Sequence, residues 1–358
     1  MKNADCPLRV GIVGCGSFGR GAYAYNVVDS PDASVAALCD LDEACADALS
    51  RELSRARELQ SCPRTYTDYR QMIQQESLDI VMVATMADIR PRVTIAALNS
   101  GAHVLAAKPM AQSLAEAEEM LQVAEQTDRL LMIGYNFRFR EDAQVVHRFI
   151  HSGGLGTPRF ARAWSHAASV PTWGPHYVKS RSGGGSLANT GVHVLDLAVW
   201  FLGSPALVSV EGQMSSRFAD LPNIPPELEA IRGTYDAEDL LTGYARFADG
   251  ATLSVESMWL APPQIAEHGV DLWGTKGYAS LVPLRLLTWQ DGDYVDVTEG
   301  IAPGLAGSYR DDGGLRKRLE VFHFIDCVLG RATPLITRRE MWTDQAIVDG
   351  IYAGKVVF

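Results

Sequence analysis

A lysine and an asparagine–histidine pair could carry proton-transfer chemistry in this chain of 358 residues. Lys108 follows a short apolar segment typical of a buried parallel strand, so we expect it at the carboxyl edge of a sheet, where open α/β sheets bind ligands. A lysine there could hydrogen-bond a substrate hydroxyl and, if burial lowered its pKa, exchange a proton with it. A solvated loop lysine is the open alternative.

Asn189 and His193 lie near the start of a predicted helix, Thr190 to Leu202, that follows three consecutive glycines. Because they are four residues apart, they should share a helix face, and that face is not the apolar stripe of the helix. His193 could therefore act as an acid or a base near neutral pH, with a hydrogen-bonded structural histidine as the alternative. Neutral Asn is a poor metal ligand and no third donor keeps a recognisable spacing, so we predict no metal site.

The segment from Trp164 to Arg181 adds polar and aromatic side chains between two predicted elements. Such donors and aromatic faces commonly hold polyhydroxyl ligands, and an ordinary polar surface loop is the alternative. The candidate substrate contacts in this segment are His166, Trp173, His176 and Tyr177.

A glycine-rich turn follows the first predicted strand, with Gly14, Gly16 and Gly19 in the spacing G-x-G-x-x-G. In such a turn the first glycine lets the backbone bend, the second lets a pyrophosphate approach the main chain, and the third lets the helix pack against its strand. The helix start would face the phosphates, so Ser17 and Phe18 are candidate contacts too. A turn of this kind can also form without any ligand.

An acidic residue ends the second predicted strand. Asp40 lies 21 residues beyond Gly19, where dinucleotide-binding folds place an acid that binds the adenosine ribose hydroxyls. Because Leu41 and not a basic residue follows, we predict NAD in preference to NADP. The alternative role for Asp40 is the N-cap of the next helix, although Asp42 could fill that role equally well.

Composition argues against several classes of partner. The chain has 32 basic and 43 acidic residues, a net charge of -11 and no block of like charges, so we expect neither a nucleic-acid nor a membrane-surface partner. Its six cysteines contain no C-x-x-C and are typical of reduced thiols. We find no room for a signal peptide before the first strand and no apolar run of membrane-spanning length, so we expect a cytoplasmic protein.

Length and pattern predict two domains. In residues 1–130 short apolar strands alternate with helices, which indicates a doubly wound parallel sheet of Rossmann type. In residues 131–358 one helix is followed mainly by strands with turns at hairpin spacing, most clearly at Asp249-Gly250. We therefore predict a second, α+β domain with a large, open and mostly antiparallel sheet.

Together these features resemble the Gfo/Idh/MocA oxidoreductase family over nearly the whole chain. The resemblance rests on the glycine spacing, Asp40, Val83-Ala84-Thr85, Gly101 to Leu105, Lys108-Pro109, Gly134-Tyr135-Asn136, the three glycines with Gly191-Val192-His193, and Gly274 to Gly277. Family members oxidise or reduce sugars and cyclitols. The resemblance implies an NAD-dependent oxidoreductase acting on a sugar, amino-sugar or cyclitol, in which Lys108 and His193 flank the reacting carbon and nicotinamide C4 exchanges the hydride on the opposite side.

The candidate site residues follow from the motifs and the resemblance together. Lys108 is the main proton-relay group, assisted by His193 and Asn189. The cofactor-binding candidates are Gly14, Gly16, Ser17, Phe18, Gly19, Asp40, Thr85 and Lys108. The substrate-binding candidates are Lys108, Asn136, Arg138, His166, Trp173, His176, Tyr177, Asn189 and His193. The resemblance also implies a homodimer or homotetramer that associates through the exposed face of the second sheet, for which the candidates are Trp259, Leu272 and Leu281.

The chain departs from the family pattern at two carboxylates. Ala107 stands where the family usually has a glutamate before Lys108, and Asn189 stands where it usually has an aspartate. A carboxylate beside Lys108 or His193 would raise its pKa, whereas Asn can orient by hydrogen bonding but cannot hold the charge. A non-catalytic sugar or dinucleotide sensor on the same scaffold is therefore the alternative function. The strand end from Thr85 to Asp88 also lacks the usual proline and asparagine, which bears on cofactor seating.

Overall fold

A computed structural model describes residues 7–57, 62–306 and 312–358. The strands are β1 (Leu8–Val13), β2 (Ala33–Cys39), β3 (Arg64–Tyr66), β4 (Ile80–Val83), β5 (His103–Ala106), β6 (Leu131–Ile133), β7 (Pro158–His166), β8 (Leu207–Ser215), β9 (Leu240–Phe247), β10 (Thr252–Met258), β11 (His268–Gly274), β12 (Gly277–Leu281), β13 (Leu284–Gln290), β14 (Asp293–Asp296) and β15 (Lys355–Val357).

The α-helices are α1 (Tyr25–Val28), α2 (Glu43–Arg57), α3 (Tyr69–Gln75), α4 (Arg90–Asn99), α5 (Leu114–Gln126), α6 (Glu141–His151), α7 (Lys179–Ser182), α8 (Val192–Phe201), α9 (Pro226–Glu229), α10 (Thr298–Ile301), α11 (Gly313–Val328) and α12 (Arg338–Tyr352). Wider, π-helical turns span Gly19–Ala24 and Leu187–Gly191. Short 3₁₀ turns span Asn136–Phe139, Phe218–Asp220, Arg232–Thr234 and Pro263–Ile265. Along the ranges given above, no helix combines the length and apolarity needed to cross a membrane.

The described chain divides into two compact units. The first contains Met1–Ala111, Ala115–Asn136 and Asp312–Arg338, and the second contains Gln112–Leu114, Phe137–Asp311 and Arg339–Phe358. The predicted boundary at residue 130 divides the chain once, so it would place α11 in the second domain. In the structure, α11 belongs to the first unit. It does so because it packs against α1 and the π-helical turn that precedes α1.

The first unit is built on a six-stranded parallel sheet. Its strand order is β3-β2-β1-β4-β5-β6, which is the doubly wound order with its reversal between β1 and β4. All four residues of β4 are fully buried, as expected for a strand covered by helices on both faces. The predicted Rossmann fold is confirmed, and the carboxyl ends of β1, β4 and β5 lie at the edge where such sheets bind ligands.

The second unit is built on a nine-stranded sheet with the order β14-β13-β12-β11-β7-β10-β9-β8-β15. Among the described strands of this second sheet, only β7 and β10 pair in parallel, so the predicted mostly antiparallel sheet is confirmed. Helix α8 packs against β7 and β11. The residues of the predicted apolar stripe, Val192, Leu195, Val199 and Leu202, are all buried. Burial extends beyond the stripe, because every residue from Val194 to Phe201 is also buried.

The three residues expected on an exposed, self-associating face of this sheet lie inside the unit. Trp259 and Leu272 are 0% exposed and Leu281 is 1% exposed, so that assignment is wrong. Trp259 belongs to an apolar cluster with Val170, Phe218, Leu228 and Ile231. Alternation along a strand separates two faces but does not tell which of them helices cover.

Arg138 anchors the interior of the second unit. Its side chain is fully buried, and its Nε and Nη2 donate to both carboxylate oxygens of Asp196 at 2.6–3.0 Å. Its Nη1 lies 3.1 Å from Glu340 of α12, and its guanidinium stacks over Trp200. The structure therefore gives Arg138 a structural ion-pair role in place of the predicted substrate contact, since its donors are taken by buried carboxylates.

We expect Arg138→Met to destabilise the second unit by about 3–5 kcal/mol, because the carboxylates of Asp196 and Glu340 would stay buried without their cation. Urea unfolding followed by tryptophan fluorescence measures this. Arg159→Met, which removes an exposed arginine from β7, is the matched control and should change stability by less than about 0.5 kcal/mol. Equal stability of the two variants would contradict the structural role.

Candidate active site

The glycine turn after β1 is dictated by close packing at two of its three glycines. Gly14 has a φ of +96°, and a Cβ there would lie 2.8 Å from the carbonyl of Ala84. A Cβ on Gly19 would lie 1.9 Å from the carbonyl oxygen of Gly14. A Cβ on Gly16 would meet nothing within 4 Å. The turn thus needs its first and third glycines for its own packing and leaves an open surface at the second.

Asp40 is tied to this turn by its carboxylate. Its Oδ2 accepts a hydrogen bond from the backbone N–H of Cys15 at 2.7 Å, and its Oδ1 accepts one from Asp42 at 3.0 Å. Helix α2 is capped by Asp42, whose Oδ1 accepts from the backbone of Ala44. The alternative of Asp40 as the helix cap is therefore wrong, and its partly exposed carboxylate lies beside the glycine turn.

Lys108 lies just beyond β5, at the carboxyl edge of the parallel sheet, and is partly buried. Burial, together with the nearby guanidinium of Arg90, lowers the pKa of Lys108 from its ordinary 10.5 to about 7. The alternative of a solvated loop lysine does not fit this environment. An amine with a pKa near 7 can take up or release a proton at neutral pH, which is what a general acid or base requires.

The other candidates of the first unit differ in accessibility. Thr85 follows β4, and its buried Oγ1 makes no hydrogen bond within the described residues. Ser17 is exposed, whereas the ring of Phe18 packs edge-on against Tyr23 with centroids 5.4 Å apart. Asn136 is 2% exposed, and its Oδ1 accepts from Arg316 at 2.9 Å, which makes it a poor substrate contact.

Two of the second unit's candidates form a pair. Asn189 lies in the π-helical turn before α8, is 6% exposed, and its Nδ2 lies 2.9 Å from Nδ1 of His176. The ring of His176 lies 5.1 Å from that of Trp173, which is 69% exposed. A buried amide, an imidazole and an exposed indole are thus linked in a row by contacts between neighbouring side chains.

His193 is the one residue of α8 that is not fully buried. Its ring stacks on Phe137, with centroids 4.4 Å apart and planes 11° from parallel. This stacking fixes the plane of the imidazole, and Nδ1 of the ring is buried. A fixed, half-buried imidazole can hydrogen-bond a ligand.

The glycine run before Asn189 is closely packed. A Cβ on Gly184 would lie 2.0 Å from the hydroxyl of Tyr352, and one on Gly185 would lie 2.0 Å from the backbone oxygen of Glu238. The Glu238 carboxylate accepts from the backbone of Gly185 at 2.6 Å and of Leu187 at 3.1 Å, and from the Tyr352 hydroxyl at 3.0 Å. These contacts hold the turn that presents Asn189, so the glycines serve close approach and not flexibility.

His166 and Tyr177 have different surroundings. His166 ends β7, and its Nε2 lies 3.8 Å from a carboxylate oxygen of Glu256 on the neighbouring strand β10. The ring of Tyr177 stacks on Tyr235, with centroids 6.2 Å apart, and packs against the apolar cluster around Trp259. His166 therefore belongs to the sheet surface, and the Tyr177 ring has a structural partner.

Three contributors were not among the predicted residues. Arg90, Phe137 and Glu238 act through partners that are distant in sequence, which no local pattern reveals. Of these three, Arg90 is the one that the sequence could have pointed to. It occupies the first turn of α4, where a positive charge interacts unfavourably with the helix dipole and therefore needs another explanation. Among the described residues, no group of three or more histidine, cysteine, aspartate or glutamate side chains is arranged to hold a metal ion.

Comparison with known proteins identifies the family. The model of the oxidoreductase family with an NAD-binding Rossmann fold, Gfo/Idh/MocA, matches residues 8–135, and that of the GFO/IDH/MocA C-terminal domain matches residues 143–280. The D-apiose dehydrogenase of Paraburkholderia graminis is 31% identical over 95% of this chain and 86% of its own. The chain belongs to the Gfo/Idh/MocA oxidoreductase family. Its first unit is the family's NAD-binding Rossmann domain.

Other relatives of this Gfo/Idh/MocA oxidoreductase extend over its full length. The D-glucoside 3-dehydrogenase of Escherichia coli (strain K12) is 27% identical over 98% of this chain and 97% of its own. The solved structure of levoglucosan dehydrogenase in complex with NADH and levoglucosan has the same fold, with a TM-score of 0.78 and 21% identity over 98% of this chain and 99% of its own.

We expect Gly16→Ala to fold like the native protein and to weaken NAD binding by about 1.5–3 kcal/mol, the range for losing a hydrogen bond to a charged group. The added methyl group would occupy the open surface that a pyrophosphate needs. Gly21→Ala is the matched control, because its Cβ also meets nothing within 4 Å. Titration calorimetry should give unchanged NAD affinity for Gly21→Ala, and equal affinity of both variants would contradict the assigned role of Gly16.

Proposed function

We propose that the chain transfers a hydride between NAD and a hydroxyl or keto carbon of a sugar, amino-sugar or cyclitol. The observation that carries this proposal is Lys108, a partly buried amine with a pKa of about 7 at the carboxyl edge of an NAD-binding Rossmann sheet. The names D-glucoside 3-dehydrogenase and D-apiose dehydrogenase support a sugar hydroxyl as the reacting group. They also favour catalysis over the sensor alternative.

The residues at the sheet edge fit the cofactor. The open surface at Gly16 leaves room for a pyrophosphate. The buried hydroxyl of Thr85 makes no hydrogen bond within the described residues and could bind the cofactor. In the proposal the glycine turn, Asp40 and Thr85 hold the dinucleotide. When bound, NAD supplies a hydride acceptor, or NADH a hydride donor, at nicotinamide C4.

Lys108 is the proposed proton-relay group. Its Nζ takes the hydroxyl proton during oxidation and returns a proton to the carbonyl oxygen during reduction. His193 assists by hydrogen bonding, and Asn189 orients its neighbours without holding a negative charge. The proposed substrate contacts besides these are Trp173, His176 and Tyr177.

We also propose that the chain forms homodimers or homotetramers through a surface that we call the aromatic face. It consists of Phe160, Tyr244 and Trp273, which lie on the side of the nine-stranded sheet opposite the buried Ala161 and Ala163. Tyr244 and Trp273 are 43% and 38% exposed, and burial of such rings favours association. Light scattering at micromolar concentration tests this, and a mass near 39.0 kDa, one chain, would contradict it.

We place the reaction in the cytoplasm. The cysteines of the described residues are all free thiols, which is typical of a reducing compartment.

We expect Lys108→Met to lower turnover by about 10²- to 10⁴-fold, the usual contribution of general acid–base catalysis, with NAD affinity little changed. In the native protein, kcat/KM for oxidation should rise with pH through about 7, because the neutral amine accepts the proton, and kcat/KM for reduction should fall there. Stopped assays of NADH formation and consumption measure both profiles. Lys276→Met removes an exposed lysine and is the control.

Lys108→Met should raise the stability of the folded protein even though it lowers turnover. Because the folded protein holds the pKa of Lys108 below its ordinary value of 10.5, the charged amine opposes folding below about pH 7, and this effect disappears above about pH 10.5. The methionine variant should therefore melt at a higher temperature than the native protein at pH 7.

Unchanged turnover in a variant that folds would remove Lys108 from the mechanism and leave His193 as the next residue to test.

A further inference from the structure

Arg90 bridges the ends of two neighbouring strands. It begins α4, is 4% exposed, and donates from Nη1 to the backbone oxygen of Pro109 and from Nη2 to that of Thr85. Thr85 follows β4 and Pro109 follows β5, and these strands pair in parallel. One buried guanidinium therefore fixes both loops at the ligand-binding edge of the sheet, including the loop that carries Lys108.

The groups around Arg90 leave its charge in place. Asp88 faces it from the loop before α4, the Tyr23 hydroxyl from the π-helical turn before α1, and Tyr135 from the segment after β6. Glu320 of α11 acts on Tyr23. Burial lowers the pKa of Arg90 only to about 10, so the guanidinium is charged at neutral pH.

The local electrostatics at Lys108 are the reverse of what a neighbouring carboxylate would create. Ala107, which is buried, supplies no charge, and the guanidinium of Arg90 adds to the effect of burial in lowering the pKa of Lys108. A nearby positive charge in a partly desolvated site favours the neutral form of a titratable base. Of the two groups the lysine is the one that loses its proton, because a guanidinium keeps its own. Arg90 cannot turn away, since both of its terminal nitrogens are bonded to backbone oxygens.

We propose that Arg90 is a positioning residue for Lys108: its guanidinium binds the backbone on either side of the strand ends, fixes the loop that carries this lysine and places a positive charge next to it, so that Lys108 enters the reaction as a base. The neutral amine is the form that accepts a proton during oxidation. With NAD⁺ bound, the hydroxyl proton would pass to Lys108 Nζ, the carbon–hydrogen bond would break with its electron pair leaving as hydride to NAD⁺, and the carbinol would become a carbonyl. This role in oxidation rests on the proposed function, whereas the coupling between Arg90 and Lys108 does not.

The test compares Arg90→Gln, which keeps an amide donor but removes the charge, with Arg90→Lys, which keeps the charge. The first readout needs no substrate: competitive acetylation of Lys108 by acetic anhydride across pH, quantified by peptide mass spectrometry. Native protein should give a labelling midpoint near 7. Arg90→Gln should raise this midpoint by about 1–2 pH units, the usual effect of one adjacent charge, and Arg90→Lys should leave it near the native value.

The second readout is the pH profile of kcat/KM for polyol oxidation. Its midpoint should rise in Arg90→Gln by the same amount, which lowers kcat/KM at pH 7 by about 5- to 50-fold, whereas a merely structural arginine would leave the midpoint unmoved. An unchanged labelling midpoint in Arg90→Gln would overturn the inference, and so would a native midpoint above 9, which is measured even if the variant does not fold. A shifted labelling midpoint without polyol turnover would instead overturn the proposed function alone.

Discussion

The burial of two cations at one edge of a parallel sheet is the constraint on which the proposed chemistry depends. Burying a charge is unfavourable unless it is paired or neutralised. Arg90 is compensated by the backbone oxygens of Thr85 and Pro109, whereas Lys108 responds with a pKa lowered to about 7. The carboxylate that the family usually places beside the lysine is absent at Ala107. Its loss therefore makes Lys108 a stronger candidate for a base, and does not by itself mark an inactive site.

In the second unit, a buried carboxylate binds the backbone of a closely packed turn, as the buried Arg90 guanidinium does at the sheet edge of the first. The Glu238 carboxylate accepts hydrogen bonds from the backbone of Gly185 and from the Tyr352 hydroxyl, and this fixes the turn in which Asn189 contacts His176. A neutral amide can hydrogen-bond an imidazole without making it cationic. Asparagine in place of aspartate thus keeps the hydrogen bond that orients His176 and removes a negative charge. Ala107 likewise removes a negative charge in the first unit.

Local rules predicted the parts of the molecule that are decided locally. Alternation of strands and helices, the glycine spacing and the cap at Asp42 gave the Rossmann unit and its turn, because each depends on nearby residues. Long-range pairing was outside that reach. Arg138 was assigned to substrate, but its partner Asp196 is 58 residues away, and Arg90 was missed because its acceptors are backbone oxygens brought near only by sheet formation.

The central claim is that this chain oxidises a polyol by hydride transfer to NAD, and isotope transfer tests it most directly. Native protein would be incubated with NAD and a panel of pyranosides and inositols deuterated at their ring carbons, and the nicotinamide would be analysed by mass spectrometry. The account predicts reduced nicotinamide carrying the deuterium label for at least one polyol, with the label absent in Lys108→Met over the same interval. Binding of NAD and a polyol with no label transferred from any member of the panel would contradict it.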